Sequence, residues 1–530
     1  YTNGIEFSVN GSRPRANNFL IDGQDDNDYQ ITGQAYQPTN IGAIQEVTIL
    51  TNAYSAEFGR GGGSVTNYIY KSGTNNFHGD LWEINRNSAL AAIPAQDAVA
   101  NTISSNPHEN ENTFGFDVGG PIKKDKLFFF GTAQWDRERL SATGPVFTLP
   151  TAAGIETLKT AFPNNANVNL FLQAIGNLVS PGLNGLISIP TGMSGACPCV
   201  DAANFQTQNV QTAGNSVDWN IRMDWHMTDR DTLTGSFIRD TAKLSPDNFA
   251  NPNALPGFQT EQEGPSEIAR AQWLHTFSSR AVNELRFSNT DVSPIFSLAP
   301  ATLANPLANL PWIQFGSDIN FPSIGVDSAY PQGRSHHAYQ IQEALSYAAG
   351  RHNIKVGADI SYVSIHDTLP LNERGTIFYN EGGNYSSLGN FIADYTGEDP
   401  GTISRSSGNP NLNTSATMVS PYVEDAFHLR DNLTINMGLR YEYWGAMANA
   451  LQYPAMNLAV GFGVPGQTFP DLFSARQVPD KRNFAPRLSL AYTPHWGHFL
   501  FGEDKTIIRA GYGVFYDGLF SNIVDQTAES

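Results

Sequence analysis

Trp219-Asn-Ile-Arg-Met-Asp-Trp-His-Met227 alternates without interruption: Trp219, Ile221, Met223, Trp225 and Met227 are apolar, whereas Asn220, Arg222, Asp224 and His226 are polar. A period of two places successive side chains on opposite faces of a β-strand. One face suits an apolar medium and the other a wet one. The pattern recurs in residues 354–362, where Ile354, Val356, Ala358, Ile360 and Tyr362 oppose Lys355, Gly357, Asp359 and Ser361. It recurs again in residues 433–443, where Leu433, Ile435, Met437, Leu439, Tyr441 and Tyr443 oppose Thr434, Asn436, Gly438, Arg440 and Glu442.

Working outward from these segments, the connections alternate between short and long. Ile122 reaches Leu127 through KKDK, Met227 reaches Thr232 through TDRD, Phe277 reaches Val282 through SSRA, Ala349 reaches Ile354 through GRHN, and His428 reaches Leu433 through LRDN. Between these hairpins lie long stretches that read as irregular: 139–215, 242–266, 293–336, 365–415 and 445–483. About thirteen strands are predicted, near 77–86, 113–120, 127–137, 216–227, 231–241, 267–277, 281–292, 337–348, 352–364, 416–429, 432–444, 484–493 and 505–516. An all-β, antiparallel up-and-down barrel spanning an outer membrane has this signature, with tight periplasmic turns and long extracellular loops. Alternation alone also permits a β-sandwich, but a compact soluble domain rarely carries five long loops without structure. The apolar faces would meet lipid, with Trp82, Trp135, Trp219, Trp273, Tyr443 and Trp444 suited to interfacial girdles. Arg222, Asp224, His226, Lys355, Asp359, Arg440 and Glu442 would line a wet or plugged lumen, since such charges are costly in a dry core. Bacterial single-chain barrels have even strand numbers, so thirteen strands predict a barrel unfinished within this chain.

Composition agrees with this reading. With 48 glycines, 11% aromatic residues and only 15% charged residues, the 530-residue chain is rich in strands and turns and lacks the charged coat of a cytosolic globule. A net charge of −19 with scattered basic residues argues against nucleic acid as a partner. Residues 1–10 carry no signal-peptide pattern and read as mid-domain. No window approaches the roughly 20 apolar residues of a membrane helix, so a closed β-barrel is the remaining way to span a bilayer.

Chemistry-bearing motifs are sparse. Cys197 and Cys199, one residue apart, supply too few ligands for a metal site and read as a local disulfide or two free thiols. The run Asp25-Asp26-Asn27-Asp28 offers clustered carboxylates, but its spacing is not that of the twelve-residue calcium loop, and a solvated turn is the simpler reading. His336 and His337 are adjacent on a strand and point to opposite faces. No HExxH, G-x-S-x-G or phosphate-loop pattern occurs. Abundant carboxylates leave a glycosidase pair open, though nothing singles out two. No enzyme, cofactor or metal site is expected.

The segment Ile44–Gly79 reads as a strand, a tight turn at Gly59, Gly61, Gly62 and Gly63, and a second strand from Val65 to Tyr70. Glycines there allow positive φ and close chain approach. Glu57 and Arg60 flank the turn.

Several motifs together resemble one family. They are Asn18-Phe-Leu-Ile-Asp-Gly23, Ile44-Gln-Glu-Val47, Tyr54-Ser-Ala-Glu-Phe-Gly-Arg-Gly-Gly-Gly63, Lys71-Ser-Gly-Thr-Asn75, Phe77-His-Gly79 and the run from Gly119 to Gly131. The succession resembles the TonB-dependent outer-membrane receptors of Gram-negative bacteria, in particular the Oar-like branch. The resemblance covers essentially the whole chain and is most specific between Tyr54 and Gly79. It implies that residues 1–76 are the C-terminal part of a plug domain and 77–530 a partial barrel of 22 strands in all. It further implies ligand uptake through the plugged barrel, integral residence in the outer membrane, and the inner-membrane TonB complex as partner through a region not in this chain. The ligand stays unknown. In that picture Arg60 is a candidate for a plug–barrel ion pair, with Glu57 as its acidic neighbour; a solvated turn is the alternative. The family's signal sequence, N-terminal carboxypeptidase-regulatory-like domain, TonB box and first half of the plug have no counterpart before Tyr1. The second functional reading is an outer-membrane adhesin or structural barrel that binds surfaces through its long loops without transport.

Overall fold

The computed structural model describes residues 7–51, 55–93, 95, 106–142, 146–206, 210–247, 254–368, 372–396, 402–406, 410–447, 478–494, 505–518 and 520–521. Among the described residues, thirteen strands form one antiparallel wall in chain order. They are β5 (Leu81–Asn87), β6 (Glu109–Lys123), β7 (Leu127–Ala142), β11 (Val210–His226), β12 (Asp231–Ser245), β13 (Thr260–Ser278), β14 (Ala281–Val292), β17 (Gln332–Ala349), β18 (His352–Thr368), β21 (Asn411–Arg430), β22 (Leu433–Tyr441), β24 (Phe484–Tyr492) and β25 (Ile508–Gly513). Each pairs with the next, as an up-and-down meander requires. Two short pieces, β15 (Ile295–Leu298) and β23 (Tyr443–Trp444), extend its edges upward.

All five short turns fall where the sequence places them, because their residues close the chain locally. Between β11 and β12, the Thr228 hydroxyl donates to Asp231 at 2.6 Å and accepts from the backbone N–H groups of Arg230 and Asp231. Asp125, at φ +61°, turns β6 into β7 in the left-handed conformation that Asp tolerates.

The two faces of the wall are inverted relative to a soluble sheet. Outward-facing Ile221 and Ile341 are about half exposed (52% and 50%), while inward-facing Asn220 and Glu442 are 1% exposed. Apolar side chains outside and polar ones inside are what a lipid solvent selects. Trp135, Trp219 and Trp273 lie on the outward face, the first stacked on Phe114 and the second against Phe237. Trp82 and Trp444 depart from the expected girdle. Trp82 lies against Gly42 and Gly115 on the inward face, and the Trp444 indole donates to Glu442.

In β18 the polarity reverses part-way along the strand. From Lys355 to Ser361 the inward residues are polar, yet the next two inward positions, Val363 and Ile365, are apolar and fully buried. They pack with Ala338, Ala416, Met418, Met447 and Tyr29. Outward, Ser364, His366 and Thr368 replace the apolar series. Here the strand has left the bilayer.

Inside the wall sits a four-stranded sheet of order β2–β1–β4–β3, built from β1 (Asn18–Ile21), β2 (Gln24–Asp25), β3 (Ile44–Leu50) and β4 (Val65–Tyr70). The strand pair expected across the glycine turn is present as antiparallel β3 and β4, and β1 adds in parallel to β4. Ile21, Tyr36, Ala43 and Tyr70 pack against Ile238 and Ile268 of the wall.

Four of the long connections are not irregular where they are described, contrary to the sequence reading, and contribute to a cap at the long-loop rim. It contains a sheet of β8 (Val146–Pro150), β10 (Cys199–Gln206) and β9 (Ile187–Pro190), and another of β16 (Trp312–Phe315), β19 (Thr376–Tyr379) and β20 (Thr402–Ser404). Helices Ala152–Ala161, Ala166–Ile175 and Ser387–Ala393 are each N-capped by a side chain, from Thr151, Asn165 and Ser386. The shared core of the cap includes Leu158, Phe171, Val200, Phe258, Ile324 and Phe391. Cys197 and Cys199 are joined as a disulfide within the cap. Most of the predicted 445–483 connection, residues 448–477, lies outside the described residues, as do Tyr54, residues 143–145 and 207–209 of the 139–215 stretch, 248–253 of 242–266, and 369–371, 397–401 and 407–409 of 365–415.

Candidate functional site between the small sheet and the wall

The glycine turn presses directly on the wall. Gly61, at φ +94°, holds a conformation open to glycine, and a Cβ on it would lie 2.3 Å from the Ala16 carbonyl oxygen. A Cβ on Gly59 would lie 2.6 Å from Arg440 and Glu442. Gly63 meets Asn17, and Gly62 faces Phe515. This crowding brings Glu57 to the wall: its carboxylate lies 2.5 Å from Lys355 Nζ and 3.6 Å from Arg286.

Arg60 is placed differently from the expectation. It forms no ion pair within 4.0 Å among the described residues. Its guanidinium, 3.9 Å over the ring of Tyr29, donates to the Asp28 carbonyl oxygen at 3.3 Å. The residue is 8% exposed, so neither the predicted ion pair nor a solvated turn describes it. Cation–π stacking takes the place of a carboxylate.

The acidic run is neither a solvated turn nor a metal loop. Asp25, Asp26 and Asp28 are all buried, and among the described residues no group of three His, Cys, Asp or Glu could hold a metal ion. Asp28 pairs with Arg334 of the wall, which also donates to Gln30. Burial pushes the Asp28 carboxyl up, but the charges of Arg334 and His336 and the N–H groups of Gln30 and Ile31 outweigh it and hold the group below the ordinary carboxylate value. Asp26 goes the other way: burial dominates over the Arg270 charge and its pKa is raised well above normal.

Of the inward residues predicted from alternation, Arg222 reaches Asp22 at 3.5 Å and the Tyr70 carbonyl oxygen at 3.3 Å, and binds Asp224 at 3.0 Å. Asp359 accepts from Gln340, and Arg440 binds Glu442 at 3.0 Å while donating to the Glu57 carbonyl oxygen. His226 is not in this constellation. It sits exposed at the short-turn rim, bonded to Thr232 at 3.0 Å.

On the long-loop side, residues 34–41 are tied to the wall. Tyr36 donates to Asp218, Asn40 donates to the same carboxylate at 2.8 Å, and Gln134 both donates to the Thr39 carbonyl oxygen and accepts from Ile41 N–H. Above this tether opens a cavity of about 450 Å³, lined from the small unit by Gln34 and Gln37 and from the wall by Glu111, Gln134, Asp136 and Asp240.

A family model described as "Outer membrane beta barrel domain" matches residues 69–530. The chain belongs to that family. It is an integral protein of the outer membrane, and the expectation that it is not an enzyme accords with the transporters and receptors it resembles. The TonB-dependent transporter Oar of Myxococcus xanthus is 25% identical over 484 residues, which is 82% of this chain and 43% of that protein. Among solved structures, the outer-membrane transporter YddB of Escherichia coli covers 98% of this chain over 55% of its own length, at a TM-score of 0.55 and 14% identity. A ferric enterobactin receptor mutant (PfeA) of Pseudomonas aeruginosa, 13% identical, covers 96% of this chain and 56% of its own at a TM-score of 0.50. The chain thus spans about half the length of the relatives it matches.

Within this outer-membrane barrel, sequence reasoning missed Arg270, Arg286 and Arg334. Arg270 and Arg286 stand in segments recognised as strands, and the parity that marked Arg222 would have marked them. Arg334 falls in a stretch read as loop, where parity gives no guide.

Proposed function

We propose that this chain is the plug-and-wall portion of a TonB-dependent outer-membrane receptor that takes up a ligand through a plugged β-barrel. In this reading residues 1–76 are the C-terminal part of the plug domain and residues 77–530 are part of the barrel. The inner-membrane TonB complex is the partner that moves the plug, in keeping with the name of the Oar relative.

One observation carries the proposal: besides its apolar contact with Ile238 and Ile268, the small sheet and its turns meet the wall through three ion pairs, Glu57 with Lys355, Asp28 with Arg334 and Asp22 with Arg222. Ions separated into water regain hydration, so a polar interface can be parted at lower net cost than an apolar one of equal area. Such an interface suits a plug that must be both seated and released. The residues proposed to act there are Glu57 and the Gly59–Gly63 turn on the plug, and Arg222, Asp224, Lys355, Asp359, Arg440 and Glu442 on the lumen wall. The ligand is received in the cavity above the 34–41 tether, where Gln134 both lines the space and holds Thr39 and Ile41. An adhesin that binds without transport is the second reading, favoured by the independently cored cap.

The test uses the full-length protein in planar bilayers. Removal of residues 7–70 should convert a closed protein into a large steady conductance, because a 22-stranded barrel leaks without its plug. Unchanged conductance would sink the plug assignment. Failure of the full-length protein to bind the periplasmic domain of TonB would leave the adhesin reading.

A further inference from the structure

Glu343 breaks the apolar band on the outside of the wall. It lies on the outward face of β17 between Ile341 and Leu345, and it is exposed. Tyr339 and Tyr347 stand on the same face about 13 Å along the strand in either direction, where interfacial rings belong. Its cross-strand neighbours are Leu285 and Ala358, and Ala358 is the midpoint of the outward series from Ile354 to Tyr362. Glu343 therefore sits near the middle of the hydrocarbon.

Other outward acids have partners or lie near water. Glu267 pairs with Arg239, Asp291 with His337 and Asp425 with His352. Glu83 stands one outward position from Asn85, which bonds Asn112 at the polar rim. The Glu343 carboxyl, by contrast, makes no hydrogen bond or ion pair among the described residues. In lipid a carboxyl group, charged or neutral, finds nothing to bond its polar atoms. Within a single molecule Glu343 only destabilises.

We infer that Glu343 is the centre of a contact between two copies of this chain inside the membrane. Every copy inserts in the same direction, so a two-fold axis lies along the bilayer normal and each residue near it meets its counterpart at the same depth. A carboxyl group that holds a proton both donates and accepts, so two Glu343 side chains satisfy each other, as two acids or as a pair sharing one proton. A different partner would need its own Lys or Arg at this depth, and those residues cost more at the midplane than Glu does. The rest of the row, Leu285, Ala358 and Pro421, offers no charge. Ala358 and Pro421 are also short, which lets a second wall come close beside the carboxyl. The contact lies wholly on the outward face, so it goes beyond the receptor reading and does not depend on it.

The experiment measures energy transfer between two dye-labelled populations of the full-length protein in liposomes, at increasing dilution with lipid. The native protein should associate reversibly. Glu343→Leu should weaken association at least tenfold while heat-modifiable gel mobility shows the barrel still folded. Glu343→Gln, whose amide also donates and accepts, should keep most of the association. Glu343→Lys should abolish self-association yet pair with the native protein, a gain that misfolding cannot mimic. In outer membranes treated with copper–phenanthroline, Ile341→Cys should form a disulfide-linked dimer of this chain. A native protein that stays monomeric at high density, undiminished association of Glu343→Leu, or crosslinking of Ile341→Cys to another protein in place of itself would overturn the inference. None of these readouts involves the small sheet or its conductance test, so the two proposals fail separately.

Discussion

Glu57 on the glycine turn and Lys355 on the wall, 298 residues apart in sequence, meet at 2.5 Å, and Arg286 stands 3.6 Å from the other carboxylate oxygen. One acid thus faces two wall cations at a site where all three side chains are largely shielded from water. Charge reversal at either partner should loosen the small sheet, and exchange of the pair (Glu57→Lys with Lys355→Glu) should recover part of the loss. A double-mutant cycle on thermal unfolding should give a coupling of about 1 kcal/mol. A coupling indistinguishable from zero would show that the contact does not seat the sheet.

Asp28 and Arg334 make a stronger case because both are almost fully buried (2% and 6% exposed). Asp28→Asn leaves Arg334 without its counter-charge and should cost about 3–5 kcal/mol at pH 7. The folded-state pKa of Asp28 is lowered, so its contribution is complete above the ordinary carboxylate value of about 3.9 and disappears as pH falls through the folded value. Melting temperatures of the native protein and the Asp28→Asn variant should therefore converge in strong acid. Parallel curves down to the lowest accessible pH would contradict the assignment.

Met223 and Asn436 test which face meets lipid. Met223→Arg places a charge on the outward band and should cost about 2–4 kcal/mol near the bilayer midplane, whereas Asn436→Arg points inward and should be tolerated far better. Heat-modifiable gel mobility of the folded barrel reports the difference. Equal loss in both variants would mean the faces are assigned wrongly.

How much of this was legible in the sequence follows from where periodicity acts. The wall strands are readable because Trp219–Met227 and its counterparts keep a period of two and are joined by short polar turns such as TDRD and GRHN. The cap was not readable: Phe171, Ile324 and Phe391 belong to three separate connections, and nothing within each reveals that the others complete its core. Glu57 and Lys355 each stand out in the sequence, yet no local rule pairs residues so distant. Arg60 misled because charge next to charge in sequence invites an ion pair, while Tyr29 offered its ring instead.

Phe171 tests the cap as a cooperative unit. It is 1% exposed and touches the rings of Phe315, Phe321 and Phe391. Phe171→Ala should cost about 3–5 kcal/mol locally and expose cap segments to brief proteolysis, with the wall strands still intact on the gel. Protease resistance equal to the native protein would argue against a shared core.

Orientation is checked by epitope tags. A tag beside the exposed Met193 of the cap should be labelled on intact cells, while one in the Thr228–Asp231 turn should be labelled after the outer membrane is breached. The reverse pattern would invert the topology.

The reversal of polarity in β18 sets the height at which the protein floats. Sliding a strand by two residues preserves every inward and outward assignment, so alternation alone leaves the vertical position free. The change at Tyr362 and Val363 removes that freedom, since a slip downward would drag Ser364 and His366 into hydrocarbon and a slip upward would lift Ile360 into water. The strand therefore carries its own waterline.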